Sequence, residues 1–390
     1  MRLSSWQYVS AAASMALLTG CNTQSTLPTV GPQQSSHQSE YGTSKSASVA
    51  AQPLADRPAI PAPPATLASA CPVELVQELL APASIDPTPV ALTCRAELPP
   101  HSTITRQIIF EGGSASGSGL DCNGGRLEGT ASKGDRESVV IRSRKTSDSW
   151  SRPVGVTLQN CEITNGVRIY GLGRNGEAQA VKQSSMTKDH TAFAQAAAPS
   201  GIVLDNLRFA NSGGVPLYVG PGVTNVTLTN SRFTGTSSSV AIYLDAESSG
   251  TKIANNTFDL RTEKRELIAV DGSAYNTITG NSFNKASNGG IFVYRNCGEG
   301  GTIRHQAPQF NRIEKNTFVM DNSRKPAVWL NSRNGNRSYC FTDPSHPFGS
   351  GLTSLDMAQH NVVVNNKVVG GGSNAFRNND PTNYLSQNGE

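Results

Sequence analysis

Charge is scarce in this chain of 390 residues: Asp, Glu, Lys and Arg together make up 16%, and aromatic residues 6%. So little charge argues against long charged helices and coiled coils, while a hydrophobic share of 36% still leaves material for a core. Clustered Lys/Arg runs are missing too, so the formal charge of +4 is not the footprint of a nucleic-acid binder, and no nucleic acid is expected as a partner. No apolar run reaches the roughly eighteen residues that a membrane-spanning helix needs. The Cys and His residues show none of the close paired spacings that hold zinc. The mild positive balance suits an anionic partner.

What is present begins with an address. Residues 1–21 carry one Arg, then an apolar stretch too short to span a bilayer, then small residues. Leu18-Thr19-Gly20-Cys21 resembles the bacterial lipobox, which implies cleavage before Cys21 and its lipidation. Asn22 follows it, not the Asp that often retains such lipoproteins at the inner membrane, so an anchor in the outer membrane is expected. Residues 22–68 are rich in Ser, Thr, Gln, Pro and Ala and read as a disordered tether, because they have too little apolar surface to offset their ordering entropy. The folded domain is expected over 69–375, with 376–390 as a tail. The protein is expected to be a monomer.

From about residue 155 a pattern recurs: an aliphatic residue, an Asn two or three later, and an apolar residue at plus five. It starts at Leu158, Leu204, Leu228, Ile253, Ile278, Ile313 and Val363, at intervals of 46, 24, 25, 25, 35 and 50. A unit near 25, sometimes carrying an insertion and sometimes doubled, is a coil period. Each unit holds short alternating strands with too few residues for a crossover helix. The expected fold is all-β, a right-handed parallel β-helix, with Asn side chains laddered at the turns. Leu120–Gly124 and Val139–Ile141 look like earlier coils, and the helical periodicity of 72–81 predicts a helix plugging the N-terminal end. Over roughly 100–370 the chain resembles the pectin-lyase-like superfamily, a likeness that speaks to fold more than to chemistry. Seven cysteines less Cys21 leave six, and fifteen pairings are possible. The coil architecture favours Cys71–Cys94, Cys122–Cys161 and Cys297–Cys340.

A second strand in each unit can be laid in register: those starting at Leu217, Ile242, Ile268, Ile291 and Val328. First and third residues are aliphatic and point inward, so second and fourth form outward columns. One column is Tyr218, Tyr243, Ala269, Phe292 and Trp329; the next holds Gly220, Asp245, Asp271, Tyr294 and Asn331, with Glu247, Ser273, Asn296 and Arg333 beyond. Aromatic rings beside carboxylates on a long face suit a sugar chain. Asp245 over Asp271 would set like charges about 5 Å apart, which asks for a compensating role. The long insertions 171–200, 297–312 and 332–358 each follow one of these strands, and are expected to wall a groove with Arg304, His305, Gln306, Arg337 and His346 on its rim.

Three kinds of function fit this pattern. An acidic cluster with Arg on the next coil resembles the calcium-dependent pectate lyases. That likeness implies that Asp245, Glu247 and Asp271 hold calcium while Arg295 acts as base or carboxylate clamp. The segment 266–273 is also similar to a strand of the chondroitinase and alginate lyase family, with Asp271 where that family has a lysine. A C5 epimerase starts from the same proton abstraction. The second reading is inverting hydrolysis by Glu247 and Asp271 across adjacent coils. In the third, the face only binds polysaccharide. Tyr218, Tyr243, Phe292, Tyr294, Asn296, His305, Trp329, Asn331 and Arg333 are the expected sugar contacts in each.

Overall fold

The computed structural model describes residues 66–130, 137–173 and 179–389. Cys21, and the 22–68 segment but for its last three residues, lie outside them, so the lipobox and tether readings stay expectations. All that follows belongs to the unit Pro53–Glu390.

Among the described residues, three parallel sheets wind around one axis. The first has ten strands, from Val90–Ala91 to Phe376–Arg377; the second has ten, from Arg95–Glu97 to Tyr384–Ser386; the third has nine, from Thr103–Arg106 to Lys367–Val369. The chain visits the sheets in turn, so each strand pairs with the strand one coil later. This is a parallel β-helix, and its right hand is the one expected of parallel crossovers.

The sequence anchors meet in register. Leu158 pairs with Leu204, Leu204 with Leu228, and so on through Ile253, Ile278, Ile313 and Val363. The column extends upstream to Leu120 and downstream to Leu385. Thus 376–389 is not a free tail but closes the last coil. The intervals of 46 and 50 are not doubled units either: Leu158 pairs directly with Leu204, and Ile313 with Val363, so each is one coil carrying a long insertion.

The two Asn positions of the motif do different work. At plus two the backbone is left-handed: Asn160, Asn206, Asn230, Asn255 and Asn365 all have φ between 50° and 59°, a region Asn tolerates better than most residues. At plus three the side chain turns inward, and Asn256, Asn281, Asn316, Asn366 and Asn388 form a ladder of amide bonds of 2.9–3.0 Å. A second ladder runs through Asn276, Asn311, Asn361 and Asn383. At plus five, Phe209, Phe233, Phe258, Phe283 and Phe318 stack with ring centroids 4.4–4.6 Å apart.

Helix α1 (Val73–Leu80) caps the N-terminal end: Leu79 is buried, and Leu75, Val76 and Leu80 pack on the core. All three expected disulfides are present, Cys71–Cys94, Cys122–Cys161 and Cys297–Cys340. The 171–200 insertion holds two helices that the sequence pattern did not suggest, α2 (Gln179–Ser185) and α3 (His190–Ala197). A third insertion carries the short α4 (Gly349–Leu352).

Candidate functional site

The first sheet carries the expected outward column, longer than the sequence indicated. By pairing it runs Val140, Arg168, Tyr218, Tyr243, Ala269, Phe292, Trp329 and Arg377. Tyr218, Tyr243, Phe292 and Trp329 are partly exposed, while Ala269 is buried. The insertions do leave from one side of this sheet. They do more than wall it, because they lie down on the residues just past the strand ends.

That packing changes the role of the polar column. Asp245, Glu247, Asp271, Arg295, Tyr294, Asn296 and Asn331 are all at most 5% exposed. Glu247 accepts hydrogen bonds from the backbone N–H groups of His305 (2.8 Å) and Gln306 (3.1 Å) and from the Thr191 hydroxyl. It pins two insertions to the coil and cannot serve as an open carboxylate. Arg295 donates to the carbonyls of Thr353 (2.8 Å) and Leu355 (2.7 Å). Its side chain runs beneath the 332–358 insertion instead of over the sheet, so it is neither base nor clamp. Asn331 exchanges hydrogen bonds with the backbone of Ala358, again holding an insertion. The His305 ring meets the Ser185 carbonyl, His190 and Phe348, within loop packing. On the expected rim, Arg304 is buried and His346 pairs with Asp343 of its own loop.

Asp245 and Asp271 remain next to the face, each tied to a tyrosine. Tyr218 donates to Asp245 Oδ2 (2.7 Å), and Tyr243 donates to Asp271 Oδ2 (2.5 Å). Asp271 also accepts from the backbone N–H and the Nδ2 of Asn296, both at 2.7 Å. Asp245 accepts from the Ala246 N–H and faces Arg304 at 3.8 Å. Burial raises the Asp245 carboxyl to about 7, with Arg304 opposing the rise and Asp271 adding to it. The neighbouring Asp271 thus adds to a rise that burial begins, in the direction that like charges on adjacent coils predict. Burial and the neighbouring Asp271 push Tyr243 well above the ordinary phenol range. Tyr294 is pushed up in the same way, by burial and Glu266.

Calcium does not fit the expected ligands. Glu247 and Asp271 have both oxygens taken by donors and the Asp245 oxygens are bonded as well, with an arginine beside it. Among the described residues no group of three His, Cys, Asp or Glu side chains is placed to hold a metal ion.

The sequence reading missed the arginines of this face. Arg265 stands over the rings of Tyr243 (5.4 Å) and Tyr294 (6.0 Å) and donates to the Tyr294 hydroxyl and to Glu266 (2.8 Å). Arg377 stands over Trp329 at 4.9 Å. Arg333, which was expected, lies over Tyr294 at 3.8 Å, and its one side-chain hydrogen bond among the described residues goes to Tyr339 (3.3 Å). Tyr339 in turn donates to Asn296, which also reaches the half-exposed Glu299. The only signal for Arg265 was a charged pair, Arg265-Glu266, directly ahead of an apolar strand.

Fold and face together define a parallel β-helix solenoid with one loop-decorated, aromatic and cationic side. The chain belongs to the right-handed β-helix family, whose model, the right handed beta helix region, matches residues 130–336. No curated protein matches it. Among solved structures it is similar to DFA-IIIase from Arthrobacter chlorophenolicus A6 without its lid, at 10% identity and a TM-score of 0.28, covering 81% of this chain and 93% of that one.

Proposed function

We propose that this protein processes an acidic polysaccharide laid along the outer face of the first sheet, by abstraction of the proton beside a uronate carboxylate. The observation that carries this is Arg333, stacked on Tyr294 with no carboxylate partner among the described residues. Guanidinium groups with free donors on aromatic faces grip carboxylates in a planar, two-donor fashion, and rings beside them take the CH faces of sugars. Arg377 over Trp329 and Arg265 over Tyr243 add cation–ring contacts along the sheet, although Arg265 is already paired with Glu266.

Neutralising the carboxylate acidifies the adjacent C–H. The Tyr243 hydroxyl, held by Asp271 and by Asn296 Nδ2 (3.2 Å), is the proton-transfer group beside it. Its raised pKa means that no phenolate is stored at rest. As the phenolic oxygen takes the substrate proton, its own proton passes to Asp271. The carbanion then either expels the leaving oxygen, which takes a proton from Tyr243 as Asp271 returns its own, or is reprotonated by water from the opposite face. Elimination or epimerisation follows from the same first step. Inverting hydrolysis needs two carboxylates open to water and the glycosidic bond, and the buried state of Glu247 and Asp271 weighs against it. Lipid anchorage at Cys21 in the outer membrane belongs to the same proposal and would hold this face at the cell envelope.

Incubation with a panel of acidic polysaccharides tests the reading. Unsaturated uronates show by ultraviolet absorbance, epimerisation by deuterium uptake at C5 from heavy water, and hydrolysis by reducing ends alone. We expect the first or second, and Tyr243→Phe should lower turnover at least about 100-fold while binding persists. Reducing ends without unsaturation, or full turnover in Tyr243→Phe, would show the reading wrong.

A further inference from the structure

We propose that a second pocket, between a hairpin and helices α2 and α3, binds a neutral sugar residue. The hairpin pairs Arg144–Lys145 with Trp150–Ser151 and follows the first-sheet strand Val139–Arg142. Helices α2 and α3 follow the next strand of that sheet, Val167–Tyr170, with Val140 paired to Arg168. Both insertions therefore leave neighbouring coils after first-sheet strands, and they border an open cleft of about 700 Å³. Pockets for small ligands run from about 300 to 1,000 Å³.

The lining has the composition that sugars select. Trp150 is fixed by packing against Leu172, Val181, Ala194 and Ala197, and Phe193, 44% exposed, borders the same cavity. An exposed ring on a helix is costly to leave in water, and the CH face of a pyranose would cover it. Gln183 and Lys145 line the cavity too, and no side-chain hydrogen bond of either is seen among the described residues. Asp148, Thr187 and Asp189 supply further acceptors and hydroxyls for a sugar diol. Charge sets this pocket apart from the arginine face. One lysine against two aspartates disfavours a uronate and leaves a neutral residue as the matching ligand. The link to a branch or neighbouring unit of the same polysaccharide rests on the function proposed above; the pocket's affinity for neutral sugar does not.

The test titrates the full chain with neutral mono- and disaccharides and, separately, with uronates, followed by saturation-transfer NMR. At least one neutral sugar should bind, and Phe193→Ala should weaken it about 10-fold. That side chain is exposed, so an unchanged thermal melt is expected. Arg333→Ala should leave neutral-sugar binding intact and weaken uronate binding about 10- to 100-fold. No neutral ligand in the panel, or neutral binding that survives both Phe193→Ala and Gln183→Ala, would overturn the proposal. Absence of any uronate binding to the unmodified chain, with the neutral site intact, would instead strike the function proposed for the first sheet.

Discussion

The inner columns of the solenoid repeat one residue, and the outer column of the first sheet refuses to. Inside, Phe stands on Phe for five coils and Asn on Asn in two ladders. Outside, the column reads Arg168, Tyr218, Tyr243, Ala269, Phe292, Trp329, Arg377. A repeated residue suits an environment that is the same in every coil, and such stacking is how a quasi-one-dimensional fold accumulates stability. Where the residue changes at every step but the one from Tyr218 to Tyr243, coil-to-coil packing does not explain the choice. A ligand with its own sequence of groups does.

The sharpest way to break this contrast is to treat both columns alike. Phe258 lies in the middle of its stack and is fully buried. Phe258→Ala should cost about 3–5 kcal/mol, from lost burial and the cavity left between two rings. Chemical denaturation reads this directly. A loss under about 1 kcal/mol would mean that the stack is not what holds the coils together.

The next effect is on binding, not folding. Arg333→Ala removes a partly exposed guanidinium that has no carboxylate partner among the described residues, so stability should change by less than about 1 kcal/mol. Affinity for acidic polysaccharide should fall about 10- to 100-fold, the worth of one charge-assisted hydrogen-bonded contact. Arg333→Lys should recover only part, since the fork is lost. If the substitution costs stability and spares affinity, the outer column is structural like the inner ones.

The fold was legible because parallel pairing carries sequence period straight into register. Once Leu158, Leu204 and Leu228 are aligned, each neighbouring residue falls into place, and every strand pair read from sequence is found as written. The site was legible only in part. Tyr218, Tyr243, Phe292 and Trp329 keep the outward places that alternation assigns them. Asp245, Glu247, Asp271 and Arg295 lie at or past the strand ends, where alternation no longer says which way a side chain turns or what lies on it. Insertions have no period, so nothing in the sequence showed that Gln306 and His305 would seal Glu247, or that Thr353 and Leu355 would capture Arg295. Arg265 was missed for a related reason: it sits in the turn before its strand, outside any column.

The effect confined to the narrowest conditions is a pH dependence that belongs to one site of the outer face. Asp245 is 1% exposed, and its carboxyl is raised from an ordinary 3.8 to about 7, first by burial and then by Asp271 against the pull of Arg304. Between those two values the unfolded chain carries a carboxylate while the folded chain holds the proton, so the native state binds more protons. Stability from this site therefore grows as pH falls from about 7 toward 4, by at most about 1.4 kcal/mol per pH unit, and is flat above 7. Asp245→Asn keeps the shape and removes the titration, so the variant should lack that slope. Subtracting its stability-versus-pH curve from that of the unmodified chain isolates Asp245 and its coupling to Asp271 from the more distant carboxylates. The fully apolar Phe column offers a matched control, because Phe258→Leu should shift the whole curve without tilting it. Parallel curves for Asp245→Asn and the unmodified chain would mean that Arg304 holds Asp245 ionised throughout, and that the strain assigned to the outer face is absent.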